Sequence, residues 1–204
     1  MVERNLVRVQ HRTEYQFSQA VAIGPHEVRL RPAAHCYTPI SDYILRATPS
    51  DHYVNWLQDP FGNFLARFIY TAPSTSLCFE VELIAEIIDL NPFNFYVENY
   101  AVEFPFAYSE QLRRDLAYCL EVAESDAEIT AWIEAQEQKS QPTINFLVEL
   151  NQAMCAQIDY VIRLEPGIQT CAETLRLSSG SCRDSAWLLI QVLRSLGLAA
   201  RFVS

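Results

Sequence analysis

From Val7 to Phe17 the apolar or aromatic residues Val7, Val9, Tyr15 and Phe17 alternate with Arg8, Gln10, Arg12, Glu14 and Gln16. A period of two is that of a half-buried strand, because successive side chains of an extended backbone point to opposite faces. The pattern recurs in Val28 and Leu30 against Glu27, Arg29 and Arg31, and in Phe64, Ala66, Phe68 and Tyr70 against Leu65, Arg67 and Ile69. It recurs once more in Phe79, Val81, Leu83, Ala85 and Ile87 against Glu80, Glu82 and Glu86. Asp59-Pro60-Phe61-Gly62-Asn63 reads as a turn between two runs. Short strands and turns without helical period predict an antiparallel β-sandwich or barrel over residues 1–90. His11 falls in the apolar register of its strand and is expected to be a core histidine.

Helical period follows an irregular, aromatic-rich stretch at residues 91–108, giving a connector with short helices over residues 91–140. Leu112, Leu116, Cys119, Leu120 and Ala123 share one face, and Ser125-x-x-Glu128 reads as a capping box before Ile129, Trp132 and Ile133. Pro142 suits a first helical turn, with Leu147, Leu150, Met154 and Ile158 as the apolar face of the next helix. The fold class is therefore α+β, with residues 141–204 as a third segment.

The formal charge of −10 would repel phosphate backbones and anionic membranes, which argues against nucleic-acid and membrane partners. The start lacks a basic segment followed by an apolar run, and nowhere do about 18 apolar residues run together, so the expectation is a soluble cytoplasmic protein. Six cysteines, Cys36, Cys78, Cys119, Cys155, Cys171 and Cys182, are spread without Cys-x-x-Cys spacing or a Cys/His cluster, so no metal site is expected. Most should be small buried apolar residues. The acidic runs Glu80–Glu86 and Glu121–Glu137 read as solvated faces.

Candidate chemistry gathers in Ser178-Ser179-Gly180-Ser181-Cys182-Arg183-Asp184, where a cysteine opens a helix. Ala186, Leu189, Ile190 and Leu193 give that helix one apolar face. Trp187, Leu188 and Val192 extend it almost all round, so the helix should be central and buried, with Gly197 as its stop. Unpaired amides and the positive dipole end at a helix start favour a thiolate and can serve as oxyanion donors. Asp184 is assigned a structural role at the same helix start. Arg183 and Arg201 are expected to clamp carboxylates of the chain itself, with a substrate carboxylate as the alternative, and Tyr160 to pack, with a hydrogen bond near the cysteine as its alternative.

Gly180-Ser181-Cys182-Arg183-Asp184-Ser185-Ala186-Trp187-Leu188-Leu189, with the following run from Leu193 to Ser204, resembles the nucleophile helix and next strand of bacterial transglutaminase-like proteins. Glu165-Pro166-Gly167-Ile168-Gln169-Thr170 with Thr174-Leu175 resembles the approach to that helix. His11-Arg12-Thr13-x-Tyr15, Leu30-Arg31-Pro32 and Asp59-x-x-Gly62-Asn63 resemble the β-rich N-terminal domain of the same proteins.

The resemblance implies a papain-like core at residues 141–204, with Cys182 as the nucleophile of a Cys-His-Asp triad. It implies acyl transfer on peptide or side-chain amides, with a protein or peptide substrate and no cofactor. His11, His26, His35 and His52 match no triad position, so the histidine and the acid are expected beyond Ser204. On that reading the chain is a fragment of a longer enzyme, catalytically inert by itself. Exposed apolar surface would then join two or more copies as a homo-oligomer. Cys171 stands eleven residues before Cys182, and a disulfide between them is one alternative to a buried thiol. The competing function is a non-catalytic protein-binding module on a retired transglutaminase fold.

Overall fold

The computed structural model describes residues 5–34, 36–88, 91, 94–136 and 139–203. It divides into two units, Met1–Asn94 and Phe95–Ser204. In the first, the alternating runs become β1 (Asn5–Val21), β2 (His26–Val28), β5 (Phe64–Tyr70) and β6 (Ser74–Ile87), joined by β3 (Ile40–Thr48) and β4 (His52–Gln58). Two antiparallel sheets result, ordered β1-β6-β3 and β2-β5-β4. In β5 the alternation holds from Ala66 onward, with Ala66, Phe68 and Tyr70 buried and Arg67 and Ile69 exposed, whereas Leu65, expected on the outer face, is buried as well. Leu77 and Phe79 of the other sheet join Val28, Ala66, Phe68 and Tyr70 in one core cluster. On the outer face Arg12 donates to Glu80 at 3.0 Å, and Gln10 to Glu82 at 3.1 Å, across the β1–β6 pairing.

The turn at Asp59 is held by that carboxylate, which accepts from Phe61 N, Asn63 N and Asn63 Nδ2, each at 2.9 Å. Hydrogen bonds from Asn63 overcome a partial desolvation and hold the Asp59 carboxyl below the usual range. Gly62, at φ +80°, takes the left-handed position of the turn.

One expectation for this unit fails. His11 is exposed, its Nε2 2.9 Å from Thr13 Oγ1, and it is not a core histidine. The second sheet explains this. Its strands have at most 7 residues against the 17 of β1, so Phe17 packs on the core while Val7 and Val9 stay exposed.

The second unit begins with irregular chain, a short 3-10 turn at Asn99–Ala101 and β7 (Glu103–Phe104). The first helical run breaks at Leu116 into α1 (Glu110–Asp115) and α2 (Ala117–Leu120). α3 (Ala127–Ala135) is capped by Asp126, whose side chain accepts from Ile129 N at 2.9 Å. The Ser125 capping box is thus not formed, because Asp126 supplies the acceptor one residue later. β8 (Gln141–Pro142) pairs with β7 and leads into α4 (Thr143–Gln157). α4 buries Thr143, Phe146, Leu150 and Met154, and Leu147 is exposed. Leu150, Met154 and Ile158 of the predicted face are buried, while Leu147 yields its place to Phe146, which stacks on Phe104 at 3.8 Å between ring centroids.

β9 (Asp159–Tyr160), α5 (Cys171–Leu177), β10 (Ser179–Gly180) and α6 (Cys182–Ser195) complete the unit. Leu188 and Val192 of α6 are fully buried in a core shared with Ile129, Trp132, Leu150, Met154, Cys171 and Leu175. Gly197, at φ +79°, ends this helix, its amide donating to Arg194 O. The strand expected after it is absent through residue 203. Hydrogen bonds from Ala199 N to Tyr108 Oη and from Ala200 N to Cys119 O hold the segment instead.

Phe68, 3% exposed between His52, Tyr70 and Phe79, tests the core of the first unit. Phe68→Ala is expected to cost about 3–5 kcal/mol in urea unfolding, whereas His11→Ala should stay within about 0.5 kcal/mol. Equal effects would contradict the burial assigned here.

Candidate active site

Three short elements bring Cys182 to the surface at the start of a buried helix. α5 ends at Ser178, in the left-handed region at φ +50°, which redirects the chain. β10 then pairs parallel with β9, Ser179 opposite Asp159 and Gly180 opposite Tyr160. Asp159 N donates to Ser178 O at 2.8 Å and Val161 N to Gly180 O at 3.0 Å. Ser181 is the N-cap of α6, so Cys182 is its first helical residue, exposed, with the amides of Cys182 and Arg183 lacking an intrahelical acceptor. No hydrogen bond to the Cys182 side chain forms among the described residues.

Gly180 is required here by space. A Cβ at this position would lie 2.9 Å from Asp184 Cβ and 3.2 Å from Gln169 Oε1. The strand preceding the cap can therefore press against the first turn of α6 only without a side chain.

The cap is fixed by Asp184, which is fully buried. Its Oδ2 accepts from Ser181 N at 2.8 Å, Ser181 Oγ at 2.7 Å and Arg163 Nε at 2.9 Å. Its Oδ1 accepts from Gln169 N at 2.8 Å and Arg163 Nη2 at 3.2 Å. Burial by itself pushes the Asp184 carboxyl up, but these hydrogen bonds outweigh it and hold the group well below the ordinary carboxylate range. Arg163 Nη2 also donates to Gly167 O at 2.9 Å. A structural role for Asp184 was legible in the sequence but Arg163 was not, and Arg183, one of the two arginines with Arg201 expected to clamp carboxylates of the chain, is exposed.

Glu124 is the second anchor. Its Oε2 accepts from Cys171 N at 2.7 Å and its Oε1 from Trp187 Nε1 at 2.6 Å, tying the start of α5 to the body of α6. The acidic run around it is thus not a uniformly solvated face. Gln191, fully buried on α6, accepts through Oε1 from Ala123 N and Glu124 N and so holds the same loop. Asp184 and Gln191 are seven residues apart, on the side of α6 that also carries Leu188. Polar residues at that spacing within an apolar stripe were the available signal for a buried polar anchor.

Other candidates resolve as follows. Cys171 is fully buried, and burial together with the neighbouring Glu124 carboxylate pushes its thiol far up, so it remains protonated. Cys171 and Cys182 are both free thiols. Cys36, Cys155 and Cys182 are exposed and only Cys78 and Cys171 are buried, so the expectation of mostly buried cysteines fails. Tyr160 does not pack: the residue is 69% exposed, and its backbone forms β9. No helix among the described residues is long and apolar enough to cross a membrane.

The Asp184 anchor makes a testable claim. Removing one partner of a buried ion pair costs about 3–5 kcal/mol, so Arg163→Ala is expected to lose stability on that scale in urea unfolding. Asp184 has its pKa depressed in the folded state, so its contribution is complete above the unfolded value of about 3.9 and fades as pH falls below it. Asp184→Asn should therefore flatten the acid limb of the stability curve. An unchanged limb would count against the pairing.

Residues 7–86 match the family model described as the bacterial transglutaminase-like N-terminal region, and residues 130–204 match that of the transglutaminase-like superfamily. No curated protein matches the chain. Among solved structures, the chain is similar to one described as "a putative cysteine protease from Cytophaga hutchinsonii", with 13% identity and a TM-score of 0.62. That similarity covers 96% of this chain and 65% of the other, and at such identity it speaks for the fold: an N-terminal β domain followed by part of a papain-like core. In that order the chain carries a region matching the bacterial transglutaminase-like N-terminal family and a region matching the transglutaminase-like superfamily.

Proposed function

We propose that this chain carries the nucleophile of a cysteine enzyme that transfers acyl groups from peptide or side-chain amides. The observation that supports this best is the placement of Cys182, an exposed thiol on the first residue of a helix whose body is buried and whose cap is pinned by Asp184 and Arg163. The thiol gives up its proton, and Sγ attacks the amide carbonyl carbon. The leading amides of α6 stabilise the developing oxyanion. The C–N bond then breaks, the amine leaves with a proton, and water or a second amine resolves the thioester. All four histidines belong to the first unit, so residues 95–204 supply no imidazole, and the general base of this proposal is a group outside them.

Two other exposed cysteines provide an internal standard. With the chain treated with limiting iodoacetamide at pH 7 and mapped by peptide mass spectrometry, Cys182 is expected to label about tenfold or more faster than Cys36 and Cys155. Arg163→Ala should slow that labelling selectively. Equal rates at the three sites would remove the main support for catalysis and favour a protein-binding role on the same fold.

A further inference from the structure

We propose that the first unit holds a second site, separate in chemistry from Cys182, that binds a single carboxylate attached to an apolar body. Leu30-Arg31-Pro32 is a motif that the chemistry of α6 leaves unused. Its arginine stands among three aromatic rings from three strands. The guanidinium carbon lies 4.4 Å from the ring centroid of Phe64, 5.5 Å from Trp56 and 5.6 Å from Tyr43. Tyr43 and Trp56 also meet edge to face at 6.4 Å.

Aromatic faces satisfy the charge of a guanidinium only in part and accept none of its in-plane N–H groups as a carboxylate would. No carboxylate among the described residues forms an ion pair with Arg31. Beside it, the Tyr43 hydroxyl is buried and finds no hydrogen-bond partner among the described residues. Burial, opposed in part by Arg31, raises the pKa of Tyr43, so this hydroxyl is a donor at neutral pH. An exposed planar cation and a buried hydroxyl without an acceptor among the described residues therefore stand side by side.

The space beside them suits a small organic acid. Arg31, Tyr43, Trp56 and Phe64 line a cavity of about 800 Å³, together with Ile40 and Leu45. That volume lies in the range of ligand sites, about 300–1,000 Å³, and within its mixed, open walls the rings of Tyr43, Trp56 and Phe64 offer an apolar group contact beside the anion. Charge narrows the ligand further. Asp42 also lines the cavity, and the chain carries −10 overall, so a monoanion is favoured over a phosphate dianion, which one arginine would not neutralise. The end of a peptide whose last residue is apolar has this chemistry.

The test uses the full chain and N-acetyl-phenylalanine, with N-acetyl-phenylalaninamide and inorganic phosphate as comparisons. Nitrogen–proton spectra follow the Trp56 indole and the Arg31 Nε–H, assigned through Trp56→Phe and Arg31→Lys. The acid is expected to shift both signals saturably, with the amide and phosphate each binding about tenfold or more weakly. Arg31→Lys should lose a comparable factor while the remaining spectrum is retained, because a lysine keeps the charge without the stacked planar fork. Equal shifts from acid and amide, tighter binding of phosphate, or no saturable shift at millimolar acid would each overturn the proposal.

Discussion

The buried carboxylate of Asp184 sets the terms for everything around Cys182. Removing an ion from water costs several kcal/mol, which is recovered only when the partner geometry is good and the remaining lone pairs are filled. Asp184 meets both conditions, with Arg163, Gln169 N and both polar groups of Ser181 converging on its two oxygens. Four stretches of chain are thereby fixed to one another: the segment after β9, the approach to α5, the cap of α6 and its first turn. The pair's net contribution to stability is smaller than its hydrogen-bond count suggests. Its larger consequence is that the backbone carrying Cys182 has one position.

The two units solve the problem of burial differently. The first places Leu77, Phe68 and Phe79 between two sheets and leaves its charges outside, where pairs such as Arg12 with Glu80 contribute little because water screens them. The second admits polar side chains to its interior. Thr174, Asp184, Gln191 and Arg194 are all buried, and each is spent on the loop or helix end that it faces. Arg194, for example, donates from Nε to Ala200 O and from Nη1 to Glu121 O, capturing two irregular segments at once. Loops held in this way can carry function without the freedom that loops usually have.

The fold was legible where a local period reports burial directly. The alternation in Phe64–Tyr70 and the nearly all-round apolar helix after Cys182 each became the expected element. β3 and β4 were harder to see. A register shift near Asp42 interrupts the first, and six of the seven residues of the second are exposed, so neither shows a sustained inward stripe. Leu147 and His11 misled because period alone does not say which of two plausible faces has a partner. Of the candidate site, the helix start at Cys182 and the structural part of Asp184 were legible, since both lie in one contiguous run. Arg163 and Glu124 were not, since their roles depend on tertiary contacts across 21 and 63 residues, which no local pattern encodes.

The chain also contains its own comparison for the proposed nucleophile. Cys171 and Cys182 each occupy the first position of a helix, after Thr170 and Ser181 caps, and each has an acid two residues later, Glu173 and Asp184. If the helix start were sufficient, both thiols would be equivalent. They are not, because Cys171 is fully buried beside the Glu124 carboxylate, whose charge opposes a thiolate, whereas Cys182 is exposed. At α6 the acid is turned inward and matched by Arg163, so the negative charge at that helix start is already compensated. What separates the proposed nucleophile from the structural thiol is solvent access and the pairing of the nearest carboxylate, with the helix dipole common to both.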